Sequence, residues 1–312
     1  MPELRVGAQR HDVPASTNLL DALLGANLAV PYSCRAGSCH ACLVRCLAGE
    51  PEDQQPEALS VEQRAQGWRL ACQCRVVEDL QVELFDPERD GRPARVLACD
   101  WLGAEVLRLR LQPERPLRYQ AGQHLLLWSA GGVARPYSLA SLPGEDNWLE
   151  VHIDCRQRGA FRDAARALQP GDTLRLGELR GGALHYDPDW HNHPLWLLAS
   201  GTGLAPLYGL LREALRQGHQ GPLRLIHVAH EPAAHYLREP LAELAAQHPG
   251  LQVEYWTTAE LQPALAQLRL VSRQTRALLC GHPATLDECA RRLYMVGLPR
   301  SQIFADRFLP HM

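Results

Sequence analysis

The chain has 312 residues, a formal net charge of −3 and 46% hydrophobic residues, enough apolar material for two or three domains with separate cores. That balance argues against a basic nucleic-acid surface and against wholesale disorder. No apolar leader follows Met1 and no run is long enough to span a bilayer, so a cytoplasmic protein without membrane association is expected.

In chain order, Leu4-Arg5-Val6 alternates as a strand does, and Asn18 to Leu24 reads as a short amphipathic helix ended by Gly25. A tight loop follows, Tyr32-Ser33-Cys34-Arg35-Ala36-Gly37-Ser38-Cys39-His40-Ala41-Cys42, with Cys72 further on. This spacing, Cys-x4-Cys-x2-Cys…Cys, suits four thiolates converging on the two irons of a [2Fe–2S] cluster. Gly37 and its small neighbours let backbone N–H groups approach the sulfurs. Zinc sites usually come as two short cysteine knuckles, and a four-iron run needs closer spacing with a final Cys-Pro, whereas Leu47 follows Cys46. Inert buried thiols suit single cysteines better than three in one Gly/Ser loop. The residues alone leave the fourth ligand open: Cys72 and Cys74 share a strand face, and Cys46 lies four beyond Cys42. Ten cysteines with no secretory signal fit a reducing compartment. Ser60 to Gln63 is a capping box before Trp68, Asp79 to Leu84 is a strand, and Asp86 to Pro93 is a polar linker.

From Ala94 to about Leu184 short strands repeat, among them Glu105–Leu111, His124–Trp128 and Trp148–Ile153, with one helix from Phe161 to Leu168. Such spacing predicts a small antiparallel barrel. Within it, Arg135-Pro136-Tyr137-Ser138 puts Arg135 and Tyr137 on one strand face, and the planar arginine fork suits a pyrophosphate. His185, His191 and His193 sit in a Pro/Asp-rich boundary and read as a solvated linker, since no carboxylate or cysteine completes a metal site. Beyond it, strands at Leu195–Ala199, Leu223–Ala229, Val253–Trp256 and Ala277–Cys280 alternate with helices at Ala205–Gln217, Tyr236–Gln247, Leu261–Leu268 and Ala284–Val296. That alternation predicts a parallel sheet covered on both faces. Ser200-Gly201-Thr202-Gly203-Leu204-Ala205-Pro206 joins the first such strand to its helix, where a glycine turn lets a dinucleotide approach helix N–H groups.

With these motifs in this order, the chain resembles ferredoxin-fused reductases of the ferredoxin–NADP⁺-reductase type, like the NADH-dependent reductase components of bacterial multicomponent oxygenases. The resemblance covers nearly the whole chain. It implies an α/β and β multidomain protein: a β-grasp [2Fe–2S] ferredoxin domain over 1–88, an antiparallel β-barrel FAD domain over 93–187 and a parallel-sheet α/β nicotinamide-binding domain over 194–312. It implies Cys34, Cys39, Cys42 and Cys72 as cluster ligands, because Leu70-Ala71-Cys72-Gln73 matches the last cluster segment of the family. Flavin would be held by Arg135, Pro136, Tyr137 and Ser138, with Ser138 near its N5. The family's Gly-x-x-Ser phosphate segment reads Gly159-Ala160-Phe161-Arg162 here, so Gly159 and Arg162 take that place and a charge replaces a hydroxyl.

Gly201, Thr202, Gly203 and Pro206 would bind nicotinamide dinucleotide, as would Cys280, Gly281 and Pro283 of the family's Cys-Gly-x-Pro segment. Glu231, at a strand end, suits a ribose diol and so favours NADH over NADPH, although the family's usual Gly-x-Arg and Asp-Leu-Tyr elements are missing. Phe308 matches the terminal aromatic that shields the flavin face. Ser138, Cys280 and Phe308 are thus the expected catalytic residues. The resemblance further implies an acceptor protein such as an oxygenase component, or the dehydratase of a deoxysugar pathway, served by a monomeric reductase.

Overall fold

The computed structural model describes residues 1–309. Its N-terminal sheet has five strands in the order Gln9–Asp12, Glu3–Val6, Leu80–Leu84, Leu43–Ala48, Trp68–Leu70. Glu3–Val6 runs parallel to Leu80–Leu84 and the other pairs are antiparallel. The helix Leu19–Gly25 packs Leu19, Leu20 and Leu23 into this module's core. Asn18 is its cap and not its first residue: the side-chain oxygen accepts from the N–H groups of Leu20 and Asp21. The Ser60 capping box forms on the helix Val61–Ala65.

The segment Asp86 to Pro93 departs from the expected linker. Asp86 caps a helical turn, Pro87–Asp90, and the strand Arg92–Leu102 starts directly after it. Aspartate followed by proline at the first helical position is a helix-start signal as much as a turn signal.

The second sheet has six strands, all antiparallel, ordered Ala134–Ser138, His124–Trp128, Thr173–Arg180, Arg92–Leu102, Val106–Pro113, Leu149–Asp154. It curls until its end strands meet at a Leu139–Val151 bridge, with Ala140 N–H donating to Glu150 O at 2.8 Å. The barrel core is aliphatic, built from Leu107, Leu109, Leu111, Leu125, Val151 and their neighbours.

The third sheet is wholly parallel, ordered Leu251–Thr257, Leu223–Ala229, Leu195–Ser200, Arg276–Gly281, Ile303–Arg307. Its two faces pack into separate cores. The chain direction of strand addition reverses at Leu195–Ser200, so the crevice at the carboxyl ends of these strands is the natural ligand position. The edge strand Ile303–Arg307 was not expected from the sequence, which marked there only the aromatic segment. Among the described residues no helix is long and apolar enough to cross a membrane.

Candidate functional site: a cleft shared by three modules

All ten cysteines are free thiols. In the loop, left-handed backbone at Arg35, Gly37 and His40 (φ 51°, 76° and 54°) winds the chain around its sulfurs. Gly37 suits its position because its left-handed backbone, φ 76°, strains any residue with a Cβ. The N–H groups of Ala36 and Cys39 donate to Cys34 Sγ at 3.3 and 3.4 Å, and Cys34 N–H donates to Cys39 Sγ at 3.5 Å. Cys72 N–H donates to Cys42 Sγ at 3.4 Å, and Gln73 Nε2 donates to Cys72 Sγ at 3.3 Å.

The sulfurs therefore form two pairs, Cys34 with Cys39 and Cys42 with Cys72. In each pair one thiol gives its hydrogen to the other. Chiefly for that reason Cys34 is pulled down to about 4 and Cys72 to about 7, while Cys39 and Cys42 are pushed up. Free thiols in two pairs, ringed by N–H donors, fit a two-iron cluster. Cys74 faces the apolar core, fully buried, and burial pushes its thiol up. Burial also pushes Cys46 up, to about 11.

Cys34 and Cys39 form part of the wall of a cleft of about 1060 Å³, whose other walls come from the barrel and the parallel-sheet module. The barrel contributes Arg135, Pro136, Tyr137, Ser138, Gly159 and Arg162. Arg135 donates to Ala134 O at 2.6 Å, and burial together with the nearby Arg162 pushes its guanidinium down. Neither arginine forms an ion pair with a carboxylate among the described residues. Two guanidiniums without a carboxylate partner, Arg135 on its strand and Arg162 in the first turn of the uncapped helix Ala160–Arg166, line the same cleft and fit a pyrophosphate. Tyr137 packs on Phe161 with ring centroids 5.2 Å apart, and burial raises its hydroxyl.

The parallel-sheet module contributes Gly201 and Thr202 from the turn Gly201–Gly203, which opens into the helix Leu204–Arg216. Gly203 itself is buried: a Cβ there would overlap the Cys280 carbonyl and reach Gly281 N at 2.7 Å. The Cys280 thiol lies in the core behind the turn, fully buried and pushed up by burial. Cys280, Gly281, Pro283, Gly203 and Pro206 thus shape the cleft from behind, and His282 reaches its wall. Phe308 does line the cleft, its N–H donating to Gly281 O at 2.8 Å, beside Asp306, which burial raises to about 6.

Glu231 is exposed at the end of Leu223–Ala229, and its neighbour His230, not Glu231, meets the cleft. Glu105, His230 and Glu231 bring three ligand atoms within 4.8 Å. Arg156 donates to His230 Nδ1 at 3.2 Å and His230 Nε2 lies 3.4 Å from Glu105 Oε1, so the group is a hydrogen-bonded contact between modules with a guanidinium already beside it rather than a cation site. Sequence reasoning missed His124, His152 and Tyr236, all on the wall. His124 pairs with Ser138 across the ladder, and His152 stacks edge-on with Tyr236 at 5.3 Å. Each becomes visible only once strand register or module packing is known.

A thiol loop, an arginine-lined barrel and a glycine turn at a parallel-sheet switch point, all opening on one cleft, define an iron–sulfur flavoprotein that takes electrons from a nicotinamide. Family models agree along the chain: 2Fe-2S iron-sulfur cluster binding domain over 5–77, oxidoreductase FAD-binding domain over 103–184 and oxidoreductase NAD-binding domain over 197–300. The chain belongs to the ferredoxin-fused reductases of the ferredoxin–NADP⁺-reductase type. It is 32% identical to the reductase subunit of an aromatic O-demethylase from Amycolatopsis sp., covering 98% of both chains. It is 30% identical to the ferredoxin–NAD(P)⁺ reductase component of naphthalene 1,2-dioxygenase/salicylate 5-hydroxylase systems from Ralstonia sp., covering 94% of both. Among solved structures it matches the Amycolatopsis cytochrome P450 reductase GcoB with a TM-score of 0.67 and 28% identity over 99% of both chains. The protein is an NAD(P)H-dependent oxidoreductase that binds FAD and a [2Fe–2S] cluster and moves electrons from nicotinamide through flavin to the cluster.

Proposed function

We propose that this reductase takes its electrons from NADH and delivers them to the oxygenase component of a multicomponent system. The observation that carries the route is the shared cleft, which Cys34 and Cys39 line together with Ser138 and Thr202. When bound, the flavin accepts a hydride and gives up electrons singly, and the cluster takes one at a time. The chain's own residues supply position and charge. Arg135 and Arg162 hold flavin phosphate, Tyr137 and Phe308 confine the ring, and Ser138 offers its hydroxyl. Gly201 and Thr202 leave room for the dinucleotide, with Gly203, Pro206, Cys280, Gly281 and Pro283 shaping that turn. Cys34, Cys39, Cys42 and Cys72 hold the cluster. The unit limits 1–88, 93–187 and 194–312 are supported by a separate sheet within each.

The NADH preference is supported by the Glu231 carboxylate, which would repel a 2′-phosphate at the strand end. The names of the relatives support an oxygenase as acceptor. Ten unpaired thiols support a reducing, cytoplasmic setting, and we take the carrier as a monomer. The test is electron delivery from the holoenzyme to a purified oxygenase component of a multicomponent system, with NADH and NADPH compared. Faster cluster reduction with NADH, narrowed in Glu231→Ala, is expected. Equal rates in wild type and Glu231→Ala would remove Glu231 from the specificity argument, and failure to reduce that oxygenase would remove the partner.

A further inference from the structure

A polar chain crosses the seam between the two electron-carrying modules. His40, one residue past Cys39, is 5% exposed. Its ring sits between two side chains of the barrel strand Thr173–Arg180: Nδ1 lies 2.9 Å from Glu178 Oε2, and Nε2 lies 2.6 Å from Arg180 Nη2. A guanidinium can only donate, so Nε2 is the acceptor and Nδ1–H donates to Glu178. Arg180 also donates to Ala58 O at 2.8 Å and lies 3.7 Å from Glu178 Oε2 as an ion pair, and Gln63 donates to Glu178. On the barrel side Arg180 pairs with His124 across the ladder, and His124 pairs in turn with Ser138. His124 is pushed down to about 4 by burial and then by Arg180 and His40, with Cys34 acting the other way. His40 directly follows the ligand Cys39, so the chain of polar contacts abuts the cluster loop.

The seam has an adhesive of its own. Phe85 stacks on Trp128 at 5.3 Å, and Ala41 packs with Leu126 and Ala134. Partly buried charges add little to such a contact, because desolvation offsets their attraction. Their place beside the cluster loop points to another role.

We propose that His40 and Glu178 hold the Arg180 guanidinium as a fixed positive charge beside the Cys34–Cys39 side of the cluster, making His40 and Arg180 positioning residues for electron entry. The inference rests on the flavin-to-cluster route given above. Reduction makes the cluster more negative, so a guanidinium that offsets the Glu178 carboxylate in this partly buried seam favours the reduced form, and its loss leaves that carboxylate uncompensated.

The test uses the full-length holoenzyme and Arg180→Met, His40→Ala and His40→Gln. The readouts are iron content, cluster potential by EPR-monitored titration, NADH–ferricyanide rate and stopped-flow cluster reduction. Arg180→Met should keep its iron and its ferricyanide rate. Its one-electron equilibrium should move away from the cluster by about tenfold, or about 59 mV, with slower cluster reduction. His40→Ala should follow it. His40→Gln, which offers one donor and one acceptor, should stay near wild type. Arg180→Met with wild-type potential and cluster reduction would overturn the proposal, and it decides alone if His40→Ala loses its cluster. A wild-type protein that reduces ferricyanide but never its own cluster would instead overturn the parent route.

Discussion

At the residue scale, two cysteines separated by one position have opposite surroundings. Cys72 is drawn down by the Cys42 thiol and accepts from Gln73, whereas Cys74 is fully buried in aliphatic packing with its thiol pushed up. The intervening turn Ala71–Gln73 breaks the strand alternation that would have put both on one face. Cys72→Ser is therefore expected to lose the visible and EPR signature of the cluster. Cys74→Ser should keep it while losing about 1–3 kcal/mol of stability, from a hydroxyl placed in an apolar site. Iron analysis and urea unfolding of the two variants separate these outcomes. An intact cluster in Cys72→Ser would transfer the fourth ligand elsewhere. Cys46, on the strand Leu43–Ala48 with its thiol raised by burial, has no sulfur partner in the hydrogen-bonding described.

At the element scale, the glycine turn Gly201–Gly203 rests on a buried histidine. His227 Nε2 lies 3.1 Å from Gly201 O and therefore donates to it, and its Nδ1 faces His235 Nδ1 at 3.2 Å. Burial, with a smaller push from His235, lowers His227 to about 3. Between its ordinary value near 6.5 and that value, the unfolded chain binds a proton that the fold refuses. The stability from neutral His227 is thus complete above about pH 6.5 and is lost as pH falls toward 3, by at most about 1.4 kcal/mol per pH unit. Urea midpoints at about pH 7.5 and about pH 5.5 should show a larger acid loss in wild type than in His227→Gln, by about 1 kcal/mol. Equal losses would exclude His227 as the source. The glycines of this turn were legible in the sequence, because a strand, a glycine turn and a helix follow one another there. His227 was not, because a histidine inside an apolar run gives no sign of which carbonyl it will meet. The cysteine loop was legible for the same local reason as the turn. The edge strand Ile303–Arg307 was obscured by Asp306 and Arg307, which break its apolar run, and His124 and His152 depended on register.

At the scale of the whole molecule, the barrel is the module that touches both others. Phe85 on Trp128 ties it to the ferredoxin sheet, while the His152–Tyr236 pair and Arg212 on Asp146 at 2.7 Å tie it to the parallel-sheet module. All three modules line the one cleft, with Cys34 and Cys39, Ser138 and His124, and Gly201 and Thr202 on its walls. With the barrel in contact with both other modules, electrons entering at the glycine turn would meet the flavin before the cluster, and the two stages should be separable by losing the last. A Cys72→Ser protein should still bind flavin and reduce ferricyanide with NADH at close to the wild-type rate, because nothing on the barrel or parallel-sheet walls has changed. It should lose reduction of cytochrome c, which would take single electrons from the cluster. Both assays on one folded, flavin-replete preparation decide the order. Loss of ferricyanide reduction there would show that the cluster precedes the flavin or is needed to assemble its site, and would break the serial arrangement of the three modules.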